Sequence, residues 1–281
     1  MALLEVCCGH LESVDAAVAG GARRIELCTS LELDGLTPPI SWIREVKARH
    51  PSLIVHVLIR PRAGDFVYSN REGDEFSGAF LSRSDAPENL LPSRPENIDN
   101  TIAKQVEEAL EAGADGIVVG GLTAEGDVDI PLMERLVRLV DEWNLARELA
   151  ESDRCHAAND GHFFPGPTRR ASLTFHRAFD VCRRPFDALE QLVALGFDRI
   201  LTSGQAPTAL EGAGLLRRLH ERARGRIGIL PGGGVSPQNA ARILSLTGCT
   251  EIHASASEVV DGKRVTSAAK VTLIRKAVES F

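Results

Sequence analysis

Eight short runs dominated by Ile, Val and Leu punctuate this chain, at residues 3–7, 24–28, 53–59, 115–119, 172–176, 198–202, 226–230 and 250–254. Runs of this kind read as strands buried on both faces, as in a parallel sheet. Stretches of helical periodicity follow them, among them Leu11 to Ala19, Ile40–Arg49, Ile98–Ala112, Leu132–Leu149, Pro185–Leu195, Leu210–Arg224 and Pro237–Leu246. Several close on glycine, at Gly20-Gly21, Gly113, Gly196, Gly225 and Gly248, as a left-handed helix end favours. Eight strand–helix units make an α/β chain of the (β/α)₈ TIM-barrel class. A doubly wound sheet would need a G-x-G-x-x-G turn after the first strand, and Cys8-Gly9-His10 stands there instead. We expect a single domain over residues 1–281 with surface insertions at about 71–97 and 150–171, where Gly, Ser, Pro and Asp break the rhythm. Cys155, His156 and His162 in the second insertion match no zinc spacing.

Two strands carry a repeated pattern, Leu4-Glu5-Val6-Cys7 and Ile25-Glu26-Leu27-Cys28. Side chains alternate along a strand, so Glu5 shares a face with Cys7, and Glu26 with Cys28. One short helix between them makes the strands parallel neighbours, with the thiols side by side at the C-terminal ends where α/β chemistry gathers. The pair reads either as such chemistry or as two buried small hydrophobes. Cys8 faces the other way.

Three further strand ends carry candidate groups. After the third strand comes Ile59-Arg60-Pro61-Arg62-Ala63-Gly64-Asp65-Phe66-Val67-Tyr68-Ser69. Arg60 and Arg62 would form either a rim salt-bridge network, with Glu5 and Glu26 as partners, or a seat for a carboxylate or phosphate. After the fifth comes Thr174-Phe175-His176-Arg177-Ala178-Phe179-Asp180, which places His176 in the mouth as an acid, base or ligand, with Arg177 and Asp180 above it. After the seventh, Gly232-Gly233-Gly234 lets backbone amides approach a ligand, and Ser255 after the eighth would complete the pocket. Glu5, Glu26, His176 and Asp180 are thus the catalytic candidates. Arg60, Arg62, Arg177, Gly232, Gly233, Gly234 and Ser255 are the ligand candidates.

Composition narrows the class. With 25% charged and 43% hydrophobic residues the chain is globular in type, and a net charge of −7 argues against a nucleic-acid partner. No apolar run is long enough to span a bilayer, and no basic, apolar leader precedes the first strand, so neither a membrane nor a secretory route is expected. Six scattered cysteines fit a reducing cytosol rather than a disulfide framework. A homo-oligomer is expected.

In order, these motifs resemble the CutC family of copper homeostasis proteins. The resemblance rests on Glu5-Val6-Cys7, Gly20-Gly21-Ala22-x-x-Ile25-Glu26-Leu27-Cys28, Gly35-Leu36-Thr37-Pro38 and the Arg60 to Ser69 segment. It continues through Thr174 to Asp180, Leu201-Thr202-Ser203-Gly204, Ala209-Leu210-Glu211-Gly212, Pro231 to Val235 and His253-x-Ser255-Ala256. Ala63 replaces a second family glycine, and Cys8 adds a thiol. The resemblance implies a TIM barrel, a cytosolic role in copper handling, and Cu(I) held as a cofactor by Cys7 and Cys28. Two thiolates suit that soft ion. The arginines, His176 and the glycine turn add an alternative, an enzyme acting on a small anionic or phosphorylated metabolite.

Overall fold

The computed structural model describes residues 2–68, 98–157, 170–260 and 263–279. Eight strands form one parallel sheet: β1 (Leu3–Cys8), β2 (Arg24–Leu27), β3 (Ile54–Leu58), β4 (Gly116–Val119), β5 (Ser172–Phe175), β6 (Arg199–Thr202), β7 (Gly228–Pro231) and β8 (Glu251–Ala254). Seven seams are hydrogen-bonded, running β8-β1-β2 and on in sequence to β7. The last seam is closed by proximity: a Cβ on Gly232, just past β7, would lie 3.4 Å from the Cβ of His253 on β8. The result is a (β/α)₈ barrel.

Helices α1 (Leu11–Ala19), α2 (Ile40–Arg49), α3 (Ile98–Glu111), α4 (Ile130–Ala157), α5 (Pro185–Leu195), α6 (Ala213–Ala223), α7 (Ala240–Thr247) and α8 (Ala268–Glu279) cover the outside. The hydrophobic core lies between the two layers. Val6, Ile25, Val55, Ile117, Leu173, Ile200, Ile229 and Ile252, one from each strand, are buried with Val14, Ile43, Val106, Leu136, Leu189, Leu216, Ile243 and Ile274, one from each helix. Each such aliphatic contributes about 1.5–3 kcal/mol by leaving water.

The eight strands fall where the sequence places them, but three elements differ from its reading. The α4 helix continues through Ala157, so residues 150–157 are helix rather than loop, carried on by good helix formers such as Ala, Glu and Arg. A hairpin of β9 (Ser257–Val260) and β10 (Lys263–Thr266), and the α8 helix after it, add to the elements the sequence pattern predicts. Residues 71–97, Ser69, His162 and the side chains of Cys155 and His156 lie outside the described residues.

The inner faces also depart from a uniformly aliphatic expectation. The lower, N-terminal half of the lumen holds a closed polar ring. Glu5 Oε2 meets Arg24 Nε at 2.6 Å, and Arg24 Nη2 meets Glu251 Oε2 at 2.6 Å. Arg199 Nε meets the same Glu251 oxygen at 2.9 Å and its Nη1 donates to Ser172 Oγ at 3.2 Å. Ser172 lies 3.3 Å from His56 Nε2, and His56 Nδ1 returns to Glu5 Oε2 at 3.1 Å. Six side chains from six strands fit because β4 presents Gly116 inward. A Cβ there would stand 2.6 Å from the His56 ring and 2.7 Å from Ser172 Oγ.

Candidate metal and ligand site in the barrel mouth

The upper half of the lumen begins at Cys7. Cys7 is in register with Glu26, so Cys28 stands one inward position higher, just past β2, where its amide donates to the Cys8 carbonyl at 3.0 Å. The two sulfurs approach to 3.6 Å, and both side chains are buried against Leu58 and Val118. Cys8, on the opposite face, packs into the outer core. The five described cysteines, Cys7, Cys8, Cys28, Cys182 and Cys249, are all free.

The structure brings two more donors to the thiols. His253 Nδ1 lies 2.9 Å from Glu5 Oε1, which turns Nε2 toward Glu26 Oε2 at 3.6 Å. One ligand atom from each of Cys7, Glu26 and His253 falls within a 4.8 Å span, the one such group among the described residues. In the sequence His253 stands out only within the His253-x-Ser255-Ala256 motif. Its partnership with Glu26 depends on β8 lying beside β1, a long-range closure that no local spacing encodes.

Protonation follows from burial and these contacts. The Cys28 hydrogen bond and burial hold the Cys7 thiol well above its usual range, so it stays protonated. Burial pushes the Glu26 carboxyl up, against the pull of the His253 charge. Burial opposes a charged His253, but Cys7, Glu26 and Glu5 together hold its imidazole well above the usual value. Burial likewise opposes charge on Glu5, and Arg24, His253 and His56 outweigh it, so this carboxylate stays ionised.

The other sequence candidates divide. The sequence makes Glu5 and Glu26 the expected partners of Arg60, and it pairs with neither. Glu5 is taken by Arg24, and the Arg60 guanidinium turns to the carbonyls of Leu33, Gly35 and Gly64 at 2.8, 3.0 and 2.9 Å. Arg62 turns outward to Asp65 Oδ1 at 2.5 Å and the Val67 carbonyl at 2.7 Å, with its guanidinium over the Tyr68 ring. His176 is buried in the upper lumen, 5.0 Å from the Phe66 ring. Arg177 pairs with Asp180 at 2.8 Å, and Asp180 also accepts from Thr202 Oγ1 at 2.5 Å and the Ser203 amide at 2.9 Å. Asp180 therefore ties the loop after β6 to the turn after β5. The glycine turn has positive φ at Gly233 and Gly234, +100° and +66°, so two of the three glycines serve backbone conformation. The Gly232 amide is bonded to the Thr202 carbonyl, and Arg177 lies beside Gly233. Ser255 lies 3.2 Å from Ser257 on β9.

A family model for the CutC family matches residues 2–78 and 168–258. The chain belongs to the CutC family. A CutC-family protein of Bacteroides thetaiotaomicron is 40% identical over 256 residues, covering 91% of this chain and 81% of that protein. The human copper homeostasis protein cutC homolog is 38% identical over 259 residues, covering 92% of this chain and 75% of that one. A solved CutC structure from Streptococcus agalactiae superposes with a TM-score of 0.67 at 28% identity, over 91% of this chain and 99% of the other. The mouth geometry is thus carried on a CutC barrel. Among the described residues no helix is long and apolar enough to cross a membrane.

Proposed function

We propose that this CutC-family protein acts in cytosolic copper homeostasis and takes Cu(I) as cargo between Cys7 and Cys28. The observation that carries the reading is the buried thiol pair, 3.6 Å apart, with His253 and Glu26 beside it. Thiolate is the ligand form, so a thiol held neutral must give up its proton as the ion enters, and uptake should release protons. Two soft sulfurs favour Cu(I) over harder ions, and the nitrogen and carboxylate beside them are within reach of a third contact. Glu5 orients His253 through its Nδ1, as an outer carboxylate orients a ligating imidazole. The free state of the five described cysteines fits a reducing compartment.

The test is titration of reduced, full-length protein with Cu(I) against a competing chelator, in parallel with Zn(II). Wild type is expected to compete for Cu(I) and a Cys7→Ser/Cys28→Ser variant is not. Glu5→Gln is expected to weaken binding about 10–100-fold while both sulfurs remain. A double variant that binds Cu(I) as wild type does, or a preference for Zn(II), overturns the assignment.

A further inference from the structure

Opposite the cysteines, the upper lumen holds buried polar groups that nothing among the described residues satisfies: Thr174 Oγ1 and His176 Nε2 on the β5 side, and Arg60 Nε after β3. These residues are 1%, 4% and 5% exposed. Buried polar atoms are rarely left without a partner, and each orphan needs an explanation.

The three groups offer the same thing. His176 Nδ1 accepts the Ala178 amide at 3.1 Å, which leaves the ring proton on Nε2. Burial and the nearby Arg60 charge depress the imidazole to about 3, so the ring is neutral and a poor proton acceptor near pH 7. Arg60 Nε can only donate, and the Thr174 hydroxyl is free to. Arg60 also lacks a counter-charge. Its other contacts are three backbone carbonyls, the buried Tyr68 hydroxyl and the face of Phe66, 5.0 Å away, with no carboxylate at ion-pair distance among the described residues. Arg24, lower in the same lumen, has two. A buried guanidinium with no carboxylate partner, the unused His176 nitrogen across the same Phe66 ring and the Thr174 hydroxyl one inward position below His176 on β5 together call for an anion. Phe66, 5.0 Å from both Arg60 and the His176 ring, walls that side against water.

We propose that Arg60, Thr174 and His176 form a seat for a small monocarboxylate in the barrel mouth. One unmatched positive charge matches one negative charge, and two carboxylate oxygens can accept all three donors. A phosphate dianion would bring a second charge, and the other mouth arginines are engaged: Arg62 with Asp65, Arg177 with Asp180. The seat is independent of the copper reading, because no residue of it is a cysteine.

The experiment uses acetate and pyruvate as probes on the full-length protein, followed by calorimetry and thermal shift. Chloride controls ionic strength, acetamide is the neutral isostere, and phosphate and sulfate are the competing anion class. Saturable stabilisation by the carboxylates, with none from acetamide, is expected. Thr174→Val and His176→Gln should each weaken it about tenfold or more, the usual effect of losing one hydrogen bond to a charged group. Both leave Arg60 and its loop in place, and their ligand-free melting temperatures are to be measured first, as the check that they fold. The Cys7→Ser/Cys28→Ser variant should bind the carboxylates as wild type does. No saturable carboxylate effect, unchanged affinity in Thr174→Val, or tighter binding of phosphate or sulfate overturns the proposal.

Discussion

Glu5, Arg24, Glu251 and Arg199 meet in alternating sign around the lower half of the lumen, with neutral His56 and Ser172 completing the circuit. Higher in the lumen, Arg60 faces carbonyls, the Tyr68 hydroxyl and an aromatic ring but no carboxylate, while Thr174 and His176 each keep an unused polar atom. The lower ring is the more exposed half, with Arg199 at 15% and Glu251 at 23%, so deeper burial is not what completes it. What separates them is completeness. A polar network with its charges matched is part of the fold, whereas one with donors and charge left over is built for something else to finish it.

The largest effect should come from breaking the lower ring. Arg24→Met removes the cation that faces both Glu5 and Glu251 and leaves the buried Glu5 carboxylate without its arginine, while the part-buried Glu251 keeps Arg199. Breaking one side of a buried pair costs about 3–5 kcal/mol. Urea unfolding should show a loss of that size, and adding Glu5→Gln should restore part of it. A loss under about 1 kcal/mol would mean that water, not the ring, satisfies these groups.

The ring also marks the limit of what the sequence disclosed. The eight strands were legible because their outward residues are Ile, Val and Leu at strand spacing, and this pattern is local. So was the pairing of Cys7 with Cys28, which needs only one short parallel crossover. Arg24, His56, Arg199 and Glu251 interrupt those apolar runs at alternate positions, and that interruption was the available signal of a polar inner face. Which of them meet could not be read, since Arg24 with Glu251 and Arg199 with Glu251 cross a lumen that exists only after closure. The same applies to Arg60, whose assumed partner Glu5 belongs to Arg24. The β9–β10 hairpin was legible and missed: Asp261-Gly262 between two β-branched runs is a strong hairpin signal.

The next effect is a pH dependence of the ligand-free upper half. His176 is neutral in the fold down to about 3, against 6.5 when unfolded. Between those values the unfolded chain carries a proton that the folded one refuses, so stability is present above about pH 6.5 and is lost as the pH falls. The slope for one such proton reaches about 1.4 kcal/mol per pH unit. His56, also depressed chiefly by burial, adds to it with the same sign. His253 and Glu26, both held above their usual values, act with the opposite sign, so the readout is the difference between curves: between pH 7.5 and 4.5 His176→Gln should lose less stability than wild type. An unchanged slope in that variant would remove His176 from the account.

The smallest effect is the sharpest contrast, because it uses one strand. Ser172 and Thr174 lie two residues apart on the inner face of β5. Ser172 Oγ is bonded to Arg199 at 3.2 Å and lies 3.3 Å from His56, while Thr174 Oγ1 has no partner among the described residues. Removing a bonded, part-buried hydroxyl loses its hydrogen bonds and costs about 0.5–1.5 kcal/mol, so Ser172→Ala should destabilise by that amount. Removing an unbonded one strands nothing. Thr174→Val keeps the branched shape, and its ligand-free stability should stay within about 0.5 kcal/mol of wild type, on the favourable side if anything, because the desolvated hydroxyl is gone. Equal losses in the two variants would show that Thr174 is satisfied after all, and the division between a finished lower half and an unfinished upper half would fail at the residue where it is most exposed to test.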